Sequence, residues 1–178
     1  MTRVLAFALT ILVLASSTVM PPTASSAPTT NTATEQQSCD WQETFHATLG
    51  MLGEDPDGWR VQRMDGYAGQ VDRSGVAVVN PDIPCGYVET VVVHEWLHLR
   101  QMDRYGSWQA TKAAAGSRLD AELVAECGTA LLIEPVPGRH SYAAESVRVR
   151  GYGCTSWHVL EAAGLIAETA ASTNEPPN

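Results

Sequence analysis

Lysine is almost missing from this chain: Lys112 stands alone beside ten arginines, and 20 acidic against 11 basic residues leave a formal net charge of −9. With no basic patch, binding that rests on broad neutralisation of nucleic-acid phosphates or anionic lipid is excluded. No C-x-x-C pair occurs among the four cysteines, which removes zinc-knuckle and thioredoxin-like readings. No internal repeat is present either. Long apolar runs are lacking as well. The run from Val4 to Ala15 makes a helix of about 18 Å, against a hydrocarbon core of about 30 Å.

What is there starts with that run. Arg3 before it and small residues after it describe a secretory signal peptide, expected over residues 1–27. Ala15-Ser16-Ser17 and Ser25-Ser26-Ala27 are the two options for cleavage. Residues 28–38 are a Ser/Thr/Pro-rich linker with almost nothing to bury, and residues 169–178 read the same way; both are expected to be disordered. A chain of 178 residues with 44% hydrophobic content suits one domain with tails. The folded part is expected over residues 39–168. All four cysteines, Cys39, Cys85, Cys127 and Cys154, fall inside it. An even count behind a signal peptide favours two disulfides, each contributing about 2–4 kcal/mol. The three possible connectivities stay open.

Local signals predict the order of elements. Asp40 caps a helix over 41–52, with Trp41, Phe45, Thr48, Leu49 and Leu52 on one side. A loop follows over 53–58, a weak strand over 59–64, a glycine-rich polar stretch over 66–75, and a β-branched strand over 76–79 stopped by Asn80-Pro81. From Tyr87 to Tyr105 neither Pro nor Gly interrupts the chain. Its length and the spacing of Val91, His94, His98, Gln101 and Tyr105 predict a buried helix rather than a strand. Ser117-x-x-Asp120 opens a further helix that Pro135 closes. Val147 and Val149 alternate in a polar stretch. A last helix is expected from about Ser156 to Ala167, with Trp157, Leu160, Gly164 and Ala167 on one face. The class is α+β.

The chemistry sits at His94-Glu95-Trp96-Leu97-His98. Histidines four apart on a helix face the same way, so both imidazoles reach one ion. Glu95, about 100° round the helix, is placed to hold a metal-bound water rather than to ligate. Zn²⁺ lowers the pKa of such a water towards about 7, and a nearby carboxylate then takes its proton. The pattern arises by chance about once in a hundred such chains. Catalytic zinc takes three protein ligands. The metzincin pattern is rejected, because Gln101 and Arg104 stand where its Gly and His belong. Glu122 and Glu126, again four apart, follow on the next helix. Glu122 is the expected third ligand, and Glu126 the acceptor for the outer N–H of a ligating imidazole.

These segments resemble a known group. His94-Glu95-Trp96-Leu97-His98-Leu99-Arg100-Gln101 is similar to the H-E-x-G-H-H-x-Q helix of the neutral zinc metallopeptidases, and Glu122-Leu-Val-Ala-Glu126-Cys127 to their E-L-Q-A-D-C helix. Both belong to the gluzincin class. The resemblance covers about forty residues, and departs at Leu97 for Gly, Leu99 for His and Glu126 for Asp. It implies a small zincin-like metallopeptidase domain, with zinc at His94, His98 and Glu122 and Glu95 as catalytic base. By the same analogy, Val76 to Asn80 is expected as the edge strand that binds substrate backbone.

Transition-state stabilisation is expected from one of His140, Tyr142, Tyr152 or His158. His46, Trp96 and Trp108 are expected to play no chemical part. The function expected is a secreted, monomeric, zinc-dependent peptide-bond hydrolase acting on a peptide or protein, with no nucleic-acid partner and no stable membrane insertion once the signal is removed. The alternatives are a zinc amidase acting on cell-wall peptides and a non-catalytic binding module with a structural metal site.

Overall fold

The computed structural model describes residues 39–133 and 153–172. Helix α1 (Trp41–Leu52) begins where Asp40 accepts hydrogen bonds from the Gln42 and Glu43 amides at 2.9 and 3.0 Å. It ends at Gly53, whose φ of 71° is left-handed backbone. Phe45, Thr48, Leu49 and Leu52 form the buried face, as the spacing predicts. The Thr48 hydroxyl is satisfied by donating to the Thr44 carbonyl at 2.7 Å.

Three short strands follow: β1 (Arg60–Val61), β2 (Gly69–Val71) and β3 (Ala77–Val79). Their order is β1-β3-β2, with β1 parallel and β2 antiparallel to β3. The weak strand expected over 59–64 shrinks to two exposed residues. Strand β2 is an addition, arising inside the stretch read only as glycine-rich and polar. Its pairing with β3 (Gly69 opposite Val79, Val71 opposite Ala77) is tertiary, and three residues show no alternation. The turn between β2 and β3 is built by Asp72, whose Oδ1 accepts from the Ser74 and Val76 amides at 2.8 and 3.1 Å.

Helix α2 (Val88–Tyr105) is the central element, and Gly106 at φ 83° ends it. Val91, Val92 and Val93 are helical and all buried, because the sheet, α1 and later helices surround α2. Segment 107–116, given no element in the sequence reading, holds helix α3 (Trp108–Ala115), whose first turn is capped by Ser107 accepting from the Ala110 amide at 3.2 Å. Only Thr111 of α3 is fully buried, so no periodic signal marked it. Helix α4 (Arg118–Leu132) opens at Ser117 as expected, Oγ accepting from the Asp120 amide at 3.0 Å.

Helix α5 (Ser156–Ser172) runs five residues past the expected end at Ala167. Its buried face differs from the one the spacing groups together. Trp157 and Leu160 are exposed, as is Ala167, and the packed residues are His158, Ala162 and Leu165. Arg104 of α2 decides the rotation by binding Glu161 at 2.6 Å and Glu168 at 2.7 Å, with Tyr105 also donating to Glu161 at 2.6 Å. Ala162 and Leu165 then pack with Val124 of α4. The alternation at Val147 and Val149 lies outside the described residues.

Two disulfides staple the helices. Cys39–Cys85 joins the start of α1 to the turn before α2, and Cys127–Cys154 joins α4 to the entry of α5. The result is a small α+β domain whose short sheet lies against α2. Among the described residues no helix is long and apolar enough to cross a membrane.

Candidate metal centre

His94 and His98 stand one turn apart on α2, ring centroids 4.7 Å apart. Glu122 arrives from α4, with Oε2 3.5 Å from His94 Nε2 and 3.3 Å from His98 Nε2. Zinc bonds of about 2.0–2.1 Å in a tetrahedron put donor atoms about 3.3–3.4 Å apart. Both spacings to the carboxylate therefore suit one small ion held between two neutral imidazoles and an anion. The three side chains form a ligand cluster of the zinc-metalloenzyme type, able to coordinate a metal ion. Of the two glutamates one turn apart on α4, Glu122 is the one in the cluster. Glu126 Oε1 lies instead on the outer side of His94, 3.8 Å from Nδ1.

The approach of α4 to α2 depends on a small residue. A Cβ built on Gly128 would lie 2.6 Å from Leu97 Cδ1, so Leu97 is accommodated only because Gly128 carries no side chain. Beyond the cluster, Arg118 Nε faces Glu122 Oε1 at 3.5 Å. Behind it, Gln101 is buried between the helices. Its Nε2 donates to the Ala121 carbonyl at 2.9 Å, which leaves Oε1 facing His98 Nδ1 at 2.8 Å. Oε1 can only accept, so Nδ1 carries the proton and the Nε2 lone pair points at the cluster. The edge of Trp108 covers the His98 ring at 5.0 Å between centroids.

Glu95 sits beside the cluster under β2. A Cβ on Gly69 would fall 2.7 Å from both Cγ and Oε1 of Glu95; glycine is what lets the strand lie this close. Glu95 is 5% exposed, and its Oε2 is buried with no hydrogen-bond partner among the described residues. Burial pushes its carboxyl up to about 7, partly offset by the charge of His98. For Glu122, burial acts upward but hydrogen bonds from His94 and His98 outweigh it and hold the carboxyl well below the usual range. Burial likewise works against charging His98, yet its bond to Glu122 prevails and raises it.

The cluster opens into a cleft of about 1410 Å³, lined among others by Tyr67, Gly69, Arg73, Trp108, Arg118 and Leu119. The expected substrate edge, Val76 to Asn80, needs correcting. Strand β3 is paired on both sides and has no free backbone to offer. Strand β2 is the edge beside the cleft.

Among the other sequence candidates, His158 is placed away from the cleft. It is buried where α5 meets α4, its Nε2 3.2 Å from Asp120 Oδ1 and its Nδ1 accepting from the Thr155 amide at 3.1 Å. Both ring nitrogens are engaged there. His140, Tyr142 and Tyr152 lie outside the described residues. His46 is exposed on α1, and Trp96 is core, donating to Glu54 at 2.8 Å. Sequence reasoning missed the parts played by Gly69, Trp108, Arg118 and Gln101. Only Gln101, three residues after His98 on the same helix face, carried a spacing signal. No family model, curated protein or solved structure matches the chain.

Proposed function

We propose that this protein is a secreted, zinc-dependent peptide-bond hydrolase of gluzincin type. The observation that carries the reading is the buried carboxyl of Glu95 beside a three-donor cluster that faces an open cleft. His94, His98 and Glu122 hold the ion, and Glu126 orients the His94 ring from outside. When bound, Zn²⁺ supplies Lewis acidity towards water and towards the scissile carbonyl. Glu95 takes the proton from the attacking water and delivers it to the leaving amine. Its buried position beside the cluster, at the floor of the cleft, suits both halves of that transfer. Strand β2 offers its free edge to the substrate backbone.

A structural metal site closes its coordination with a fourth protein ligand. Glu126, the nearest further carboxylate on α4, faces Nδ1 of His94 rather than the side where the cluster converges, which favours catalysis. Residues 1–27 act as the signal peptide, 28–38 as a linker and 39–168 as the catalytic domain. Two disulfides suit an oxidising compartment.

Glu95→Gln tests the reading. The variant keeps its zinc and loses hydrolysis of a quenched fluorogenic peptide library by about 10²–10⁴-fold. Unchanged hydrolysis would remove the mechanism. A cell-wall peptide assayed in parallel separates a peptidase from an amidase.

A further inference from the structure

We propose that Gln101 is a positioning residue that locks the two ligand-bearing helices together, so that His98 and Glu122 are set as a pair before any metal arrives. The inference rests on the metal-centre reading and adds to it a residue that touches no substrate and no ion.

Gln101 is 2% exposed, and its carboxamide is spent at both ends. Oε1 accepts from His98 Nδ1 at 2.8 Å. Nε2 donates to the carbonyl of Ala121 at 2.9 Å, in the peptide unit that leads into Glu122. One planar group therefore spans the ligand imidazole of α2 and the backbone beside the ligand carboxylate of α4. Its own backbone lies against α3, where the Thr111 hydroxyl is shared between the carbonyls of Ser107 at 3.0 Å and Gln101 at 3.3 Å. The orientation is self-consistent in one way only. Turning the amide over would aim Nε2 at His98 Nδ1 and Oε1 at a carbonyl oxygen, two acceptors facing each other.

The coupling has a chemical consequence. With Nδ1 protonated and held, His98 offers its Nε2 lone pair in a fixed direction, 3.3 Å from Glu122 Oε2. Glu122 cannot drift along α2 while the preceding carbonyl is tied. Partners of this kind that orient metal ligands typically change affinity 10–100-fold when removed. A buried amide that merely filled space between helices would change stability and leave metal affinity alone.

The experiment uses the purified full chain, stripped of metal and titrated with Co²⁺ and Zn²⁺ in competition with a chromogenic chelator. The Co²⁺ visible spectrum reports ligand geometry. Gln101→Met removes both hydrogen bonds. Gln101→Glu keeps the acceptor for His98 and sets a carboxylate against the Ala121 carbonyl, and it serves also if the Met variant does not fold. Thr129→Val is the control: it removes a buried hydroxyl bond within α4, Oγ1 to the Ala125 carbonyl at 2.9 Å, and so lowers stability away from the ligands.

The expected result is a 10–100-fold loss of affinity and an altered Co²⁺ spectrum in both Gln101 variants, with Thr129→Val binding as the parent does. Wild-type affinity and spectrum in Gln101→Met overturn the proposal. If Gln101→Glu binds like wild type while Gln101→Met does not, the residue serves His98 alone and the coupling of helices is wrong. A parent chain that takes up neither ion sinks the metal-centre reading itself, and the proposal falls with it.

Discussion

Glu122 meets His98 with Oε2 3.3 Å from Nε2, across 24 residues of chain. That contact makes the ligand assignment testable. Glu122→Ala is expected to lose stoichiometric zinc, whereas Glu126→Ala keeps it at an affinity about 10–100-fold lower. Metal content after gel filtration, followed by chelator titration, separates the two. Loss of metal from Glu126→Ala alone reverses their roles.

Gly69 holds β2 against the base. In Gly69→Ala the new methyl lands 2.7 Å from Glu95 Cγ and Oε1 and 2.8 Å from Val91 Cγ1, so strand or carboxylate must move. A misplacement near 1 Å costs about 10²-fold in rate. Peptide hydrolysis should drop by that order while metal content stays at the wild-type level. A fully active variant would show that the close approach of β2 is dispensable.

Leu97 and Gly128 make a matched pair. Gly128→Ala overpacks the α2–α4 contact and is expected to cost about 1–3 kcal/mol. Leu97→Ala in the same chain should recover part of this, since the added methyl then enters vacated space. A double-mutant cycle from urea denaturation reads the coupling directly. Additive losses would mean that the two positions do not share a cavity.

Acid stability carries the mark of Asp72. Hydrogen bonds from the Ser74 hydroxyl and the Val76 amide lower its carboxyl from 3.8 to about 2. Between those values the unfolded chain binds more protons than the native one. The stabilisation is therefore complete above pH 3.8 and lost as pH falls towards 2. Its side chain is 23% exposed, and solvent screening trims the contribution to about 1 kcal/mol. Urea midpoints from pH 5 to 2 should fall less steeply in Asp72→Asn than in the parent. Parallel slopes would refute the assignment.

Much of this was legible along the chain because the signals are local. Asp40, Gly53, Gly106 and Ser117 mark helix ends within a turn of where they act, so α1, α2 and the start of α4 could be placed. His94, Glu95 and His98 are set by helix geometry alone, and the same rule puts Glu122 and Glu126 together on one face of a second helix. The pairing of Cys39 with Cys85 and of Cys127 with Cys154 was not legible, since spacing does not rank the three connectivities. Helix α5 misled for a different reason. Its larger apolar side chains suggested one face, but the charges of Arg104, Glu161 and Glu168 turned another inward.

The placing of α1, α2 and α4 and the residue types able to hold a metal were thus dictated by the amino-acid sequence itself, through backbone capping and the 3.6-residue period. Which glutamate joins the histidines, that three residues of the glycine-rich stretch become the strand over Glu95, and that Gln101 reaches across to Ala121 were decided only by tertiary packing. Those contacts join segments distant in the chain. They depend on how closely two backbones approach, which Gly69 and Gly128 permit and no local pattern encodes.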